Sequence, residues 1–240
     1  MNIEEIRHQC KLLHLPTVAA VIAEQESIPE SNELSFIDRI GLVFERELVD
    51  RQEKKISRLI KSAGFKYQPE INTIIYNSER NLSKDVILNL ASNGYVVNKK
   101  NVIIVGATGT GKTYLGCTLG IQACRNMHSV KYVRVPRLLT DLAMVKETID
   151  YRKIMNNLKR TELLILDDFG MSPMSLDETK DFLEIIEDRY QAGSTIILSQ
   201  LPISDWYQVF KDQTYADAIM DRLFSSSNRI ELKGDSLRKT

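Results

Sequence analysis

The residues best suited to chemistry in this chain are Gly106 to Thr113, GATGTGKT, which match the pattern G-x-x-x-x-G-K-[ST]. The chemistry is polyphosphate binding. Glycines 106, 109 and 111 permit backbone angles that would crowd a side chain, so successive amide N–H groups can converge on phosphate oxygens. A helix expected to open here, TYLGCTLGIQAC, adds partial positive charge. Lys112 is then placed for the β- and γ-phosphates and the Thr113 hydroxyl for a magnesium ion. The whole expected cradle is Gly106, Ala107, Thr108, Gly109, Thr110, Gly111, Lys112, Thr113 and Tyr114.

Two further stretches end in groups that could act on a bound triphosphate. In ELLILDDFG an apolar run finishes on Asp167 and Asp168. Asp167 is expected to hold magnesium, and Asp168 to orient or deprotonate an attacking water; the alternative for either is to cap the helix that follows. A paired acid favours hydrolysis over transfer to a metabolite, which counts against a small-molecule kinase. In TIILSQLP the run ends at Ser199 and Gln200, of which Gln200 is the preferred partner for the γ-phosphate or the lytic water. The alternative is that both cap the segment opening at Pro202.

Such groups need a scaffold, and the spacing of apolar runs supplies one. NVIIV, VKYVRV, ELLILDD, STIILS and RIEL are short and β-rich, with helical patterns between them. That predicts an α/β fold with a parallel sheet buried on both faces, whose ligands collect at the carboxyl ends of the strands. Up to Gly64 the pattern is helical, with Ser35 as a cap and Gly64 as a stop. The expected organisation is a helical N-terminal domain for DNA or a partner over 1–66, a connector over 67–100 and an ATPase domain over 101–240. Within the connector, a helix and then a turn at Asn93 and Gly94 are predicted.

Composition narrows the partners. The 240 residues carry 32 Lys plus Arg against 32 Asp plus Glu, so any nucleic-acid affinity must come from a local patch. Arg46 to Lys66 holds seven basic residues and three acidic ones, 7 − 3 = +4. On a helix Glu47 can pair with Arg51 and Asp50 with Lys54, leaving Lys55, Arg58 and Lys61 near one side. Lys55, Arg58 and Lys61, with the paired Arg51 and Lys54 beside them, are therefore candidates for sequence-independent contact with nucleic-acid phosphates, the alternative being a solvated face. No apolar run reaches the roughly 18 residues of a membrane span and no signal-peptide core is present, so a cytoplasmic protein without membrane contact is expected. Cys10, Cys117 and Cys124 are expected to be reduced thiols, since no Cys-x-x-Cys spacing occurs. His8, Cys10 and His14 do not share one helical face, so metal binding there is not expected. Trp206 and Tyr207 read as packing residues.

Taken in order, the helical start, GATGTGKTYLG, LLILDDFG, STIILSQLPISDWY and DAIMDRLFSSSNRIELKGDSLRK resemble the IstB/DnaC family of AAA+ ATPases over essentially the whole chain. Within that family the likeness is greatest to the IstB-like transposition helper proteins of insertion sequences. The resemblance implies an AAA+ P-loop domain with a five-stranded parallel sheet between helices, and a lid that is absent or vestigial. It implies ATP and Mg2+ as cofactors, ATP hydrolysis, duplex DNA and a cognate transposase as partners, and head-to-tail self-association into a ring or helix. Arg222 in MDRLF matches the arginine-finger segment, to be offered to a neighbour's nucleotide, and Arg238 in GDSLRK the sensor-two arginine. Tyr114 departs from the His common at that position in the family. Two alternatives stand beside the transposition helper: a replicative helicase loader of the DnaC type, and a nucleotide-gated DNA-binding module without significant hydrolysis.

Overall fold

The computed structural model describes residues 2–76 and 78–237, and the chain divides after Arg58 into two compact units. The first contains α1 (Ile3–Leu12), α2 (Pro16–Ser27) and most of α3 (Phe36–Ala63). Local chemistry explains their starts. Asn2 and Glu5 cap α1 reciprocally, Pro16 opens α2, and Ser35 accepts the Asp38 amide at 3.2 Å. At the far end of α3, Gly64 adopts φ 74°, as a helix stop requires.

The interior of this first unit is held partly by charge. Glu47 is buried, accepts the Val18 amide near the start of α2 at 3.3 Å, and binds Arg51 Nε at 2.6 Å. A carboxylate at a helix start meets the positive end of the helix dipole. Thr17 donates to Asp50 at 2.8 Å, tying the same two helices together again.

The second unit begins with α4 (Lys84–Ala91) and α5 (Gly94–Val97), joined through Asn93 at φ 62° where a turn is predicted. There follow β1 (Asn101–Gly106), α6 (Lys112–Arg125), β2 (Val130–Arg134), α7 (Val135–Val145), α8 (Ile149–Arg160), β3 (Leu163–Phe169), α9 (Leu176–Arg189), β4 (Ser194–Ser199), α10 (Gln213–Phe224) and β5 (Ser227–Leu232). The strands form one parallel sheet in the order β2-β3-β4-β1-β5. Strand side chains alternate between two apolar cores. Ile103, Val105, Leu164, Leu166 and Ile197 enter the core covered by α7, α8, α9 and α10. Val102, Ile104, Leu163, Ile165, Ile196 and Leu198 enter the other, with α4, α5 and α6. Burial on both faces is why these strands read as continuous apolar runs. Residues of the 67–100 stretch, among them Ile74, Leu82, Ile87 and Leu90, lie in that second core.

Two buried side chains brace this frame. Trp206 is fully buried against Phe169, with ring centroids 4.6 Å apart, so it packs. Arg189 is buried at the end of α9 and donates to the carbonyls of Leu158, Thr161 and Ser194 at 2.5, 2.7 and 2.5 Å and to the Thr195 hydroxyl at 3.0 Å. Burial pushes its pKa down to about 10. The three cysteines are free and buried. No helix among the described residues is long and apolar enough to cross a membrane.

Candidate nucleotide site

The phosphate loop leaves the carboxyl end of β1, between β4 and β5, and runs into α6. Its glycines are required by their surroundings. A Cβ on Gly106 would lie 2.5 Å from the Leu232 carbonyl oxygen of β5, and one on Gly109 would lie 2.1 Å from the Ser236 hydroxyl, while Gly109 and Gly111 also hold φ values of 87° and 94°. Lys112 is buried and bends back over the loop, donating to the carbonyls of Gly106 and Ala107 at 2.6 and 2.8 Å. Thr110 closes the turn through its hydroxyl on Ala107 O at 2.8 Å.

Thr113, in the first turn of α6, donates to Asp167 Oδ2 at 2.8 Å, so the two expected metal ligands already meet. That same oxygen accepts Tyr132 OH from β2 at 2.6 Å, and Oδ1 accepts the Asp168 amide at 2.8 Å. Burial first, and then the Asp167 carboxylate beside it, raise the Tyr132 pKa, which keeps the phenol a donor. A hydroxyl and a buried carboxylate side by side are a hard oxygen donor set of the kind that magnesium takes, and they fit it.

Asp168 is placed by a break in regular pairing. The register of β3 against β4 slips between Leu166 and Phe169, and Asp168 adopts φ 59°. Bulges of this kind re-aim side chains beside active sites. The Asp168 carboxylate accepts Arg134 Nε from β2 at 2.5 Å. Neither acid caps a helix: both lie in β3, and the cap of α9 is Ser175. At the end of β4, Ser199 is fully buried and its hydroxyl donates to Phe169 O at 2.8 Å, whereas Gln200 just after it faces the phosphate loop and accepts the Thr108 hydroxyl at 2.5 Å. Gln200 is thus the one of the two that borders the site.

Lys112, Thr113, Asp167, Asp168 and Gln200 line one cavity of about 380 Å³. Its other wall comes from Tyr67, Thr73, Ile74, Ile75 and Leu82, an apolar and aromatic surface suited to a base. Tyr114 belongs to this wall: its hydroxyl lies 2.5 Å from that of Thr73, and its ring 6.5 Å from that of Tyr67. Arg80 also lines the cavity, and sequence reasoning missed it, as it missed Tyr132 and Arg134. The β2 pair carried a usable signal, for they stand two residues apart on the strand beside the one that bears the acids.

Arg222 is elsewhere. It ends α10 near the amino ends of β1 and β4, where Asn101 Nδ2 reaches the Arg222 carbonyl at 3.3 Å. Its guanidinium ion-pairs with Glu187 of α9 without hydrogen-bond geometry and lies 6.0 Å from the Tyr190 ring. The phosphate loop is at the opposite end of the same strand. Arg238 lies outside the described residues.

On α3 the expected ion pairs form, Glu47 with Arg51 and Asp50 with Lys54, each at 2.6 Å. Arg51 also donates to the His14 carbonyl at 2.9 Å, so its guanidinium is largely engaged within the unit. Arg58 Nε donates to Lys54 O at 3.2 Å, and Lys55, Arg58 and Lys61 are exposed.

Residues 8–240 match the family model described as IstB-like ATP binding protein. The chain is 40% identical over 225 residues to the insertion sequence ATP-binding protein y4pL of Sinorhizobium fredii, covering 94% of this chain and 92% of that protein. It is 27% identical over 237 residues to the insertion sequence IS21 ATP-binding protein of Pseudomonas aeruginosa, covering 99% and 88%. In fold it is similar to DnaI, with TM-score 0.58 at 18% identity over 74% of this chain and 94% of that one. The DnaC helicase loader gives TM-score 0.56 at 18% identity over 73% and 99%.

Proposed function

We propose a function from one premise: the chain belongs to the IstB-like ATP-binding protein family. In this reading it is an ATP hydrolase of the AAA+ type that assists transposition, assembling head-to-tail on duplex DNA with ATP and released by hydrolysis. The observation that carries it is the meeting of Thr113 with Asp167 beside the phosphate loop, in a chain whose relatives are named for insertion sequences.

Lys112 neutralises the β- and γ-phosphates once they displace its ammonium from the loop carbonyls. Thr113 and Asp167 hold magnesium, which supplies charge stabilisation at the phosphate oxygens. Asp168 orients the water, and this needs its ion pair with Arg134 to open. Gln200 stands near the γ-phosphate position. Arg222 serves the site of a second copy, because it lies at the far end of the sheet from its own phosphate loop, and a contact of that kind is head-to-tail. Arg238 is proposed for the phosphates of its own subunit on the family resemblance alone. Lys55, Arg58 and Lys61 contact the DNA backbone, with Arg51 and Lys54 contributing less because carboxylates already engage them. The cognate transposase is the proposed protein partner, and the cytoplasm the proposed location.

Light scattering of the protein with duplex DNA, with and without a non-hydrolysable ATP analogue, tests the core of this reading. Growth beyond a dimer that needs both ligands is the expected result. A mass that does not respond to the analogue would refute it.

A further inference from the structure

Arg80 stands on a short turn ahead of α4 and is buried, with a guanidinium that burial shifts to lower pKa. Nη2 donates to the carbonyl of Thr110 at 2.7 Å, inside the phosphate loop. Nη1 donates to the carbonyl of Ile75 at 2.5 Å, on the wall proposed for the base. Its own carbonyl accepts the Lys233 amide at 3.1 Å, just after β5. The side chain therefore joins two segments that line the cavity, and the backbone of the same residue ties them to the end of β5.

The bond to Thr110 has a directional consequence. In a trans peptide the carbonyl of one residue and the amide of the next point opposite ways. With the Thr110 oxygen held on Arg80, the Gly111 N–H of the same peptide points away from the guanidinium, and a phosphate cradled by the loop would be its acceptor. Gly111 is shaped to allow this: its φ is 94°, and a Cβ there would crowd Arg80 Nη2 at 3.1 Å. Charge-assisted bonds to carbonyls are also stronger than neutral ones, which suits a strut that must fix a peptide plane.

We propose that Arg80 is a positioning residue that aims the Gly111 amide at the β-phosphate. This rests on the reading of the cavity as an ATP site. Arg80 differs from Lys112 in acting through the backbone rather than by meeting the phosphates itself.

The test compares ADP with AMP, which differ by that group, in competition against a fluorescent ADP on the full chain. Arg80→Met should weaken ADP about 10- to 100-fold while AMP changes less than about 3-fold. Arg80→Lys, which retains a cation and a donor, should fall between wild type and Arg80→Met for ADP. Thermal melts in the absence of nucleotide check that each variant folds, and if Arg80→Met does not, Arg80→Lys decides. A folded variant in which ADP and AMP weaken by the same factor, or in which neither changes, makes Arg80 a structural strut only and overturns the proposal. Wild-type protein that fails to bind ADP overturns the ATP-site reading beneath it instead.

Discussion

A mixing experiment tests the division of labour between Lys112 and Arg222 most sharply. The two residues flank β1 from opposite ends, and its six residues span about 20 Å, beyond the reach of one arginine side chain. If a site is finished by the next subunit, Arg222→Ala and Lys112→Ala should each lower turnover by about 10³-fold or more. Their defects, however, lie on different sides of a junction. A junction works when an Arg222→Ala subunit supplies Lys112 and a Lys112→Ala neighbour supplies Arg222. For random assembly with a fraction x of the first variant, the productive share is x(1 − x), so equal amounts should recover about one quarter of wild-type turnover. The assay is phosphate release on duplex DNA at constant total protein, after a preincubation that lets subunits exchange. A parabola with its maximum at equal amounts is expected. Activity that stays at the sum of the two variants at every ratio, while light scattering shows mixed assemblies, would refute completion in trans.

Three other outcomes follow from described contacts. Arg189→Met should lower stability by about 3 kcal/mol, because the buried carbonyls of Leu158, Thr161 and Ser194 lose their donor; a melt lowered by less than about 3 °C would contradict this. Reversing the charge of Lys55 and Arg58 should flatten the dependence of DNA affinity on salt, since each phosphate contact contributes about 0.9 to the logarithmic slope, and an unaltered slope would return that face to solvent. Tyr132→Phe removes one donor from Asp167 Oδ2 and should raise the magnesium concentration needed for half-maximal turnover a few-fold while leaving metal-free ADP binding unchanged; a magnesium titration that overlays wild type would show that the phenol does not matter.

Much of the site was legible because its parts are local. A glycine loop between a buried run and a helix needs only neighbouring residues to be understood, and Asp167 is legible for the same reason, as the end of such a run. The ion pairs of Glu47 with Arg51 and Asp50 with Lys54 were legible from four-residue spacing. What spacing could not reveal was tertiary. Arg51 reaches the His14 carbonyl only once α3 packs beside the turn between α1 and α2. Arg80 sits in NSERNLSK, a polar stretch without periodicity, and its partners are backbone carbonyls that leave no trace in side-chain types. The turn of Asp168 away from regular strand geometry is equally silent, because a bulge depends on the register of the neighbouring strand.

The close fit of Ser236 over Gly109 carries a practical meaning. Leu237 donates its amide to the Gly109 carbonyl at 3.0 Å and lines the cavity, so this segment lies on the nucleotide loop itself. A bulky group attached at this segment would crowd that loop and distort measured affinities. The same nearness is an opportunity. All three native thiols are buried, so a single cysteine placed at the exposed Leu237 can be labelled selectively under native conditions. A dye there would serve as an optical gauge of loop occupancy, read in real time and without a modified nucleotide.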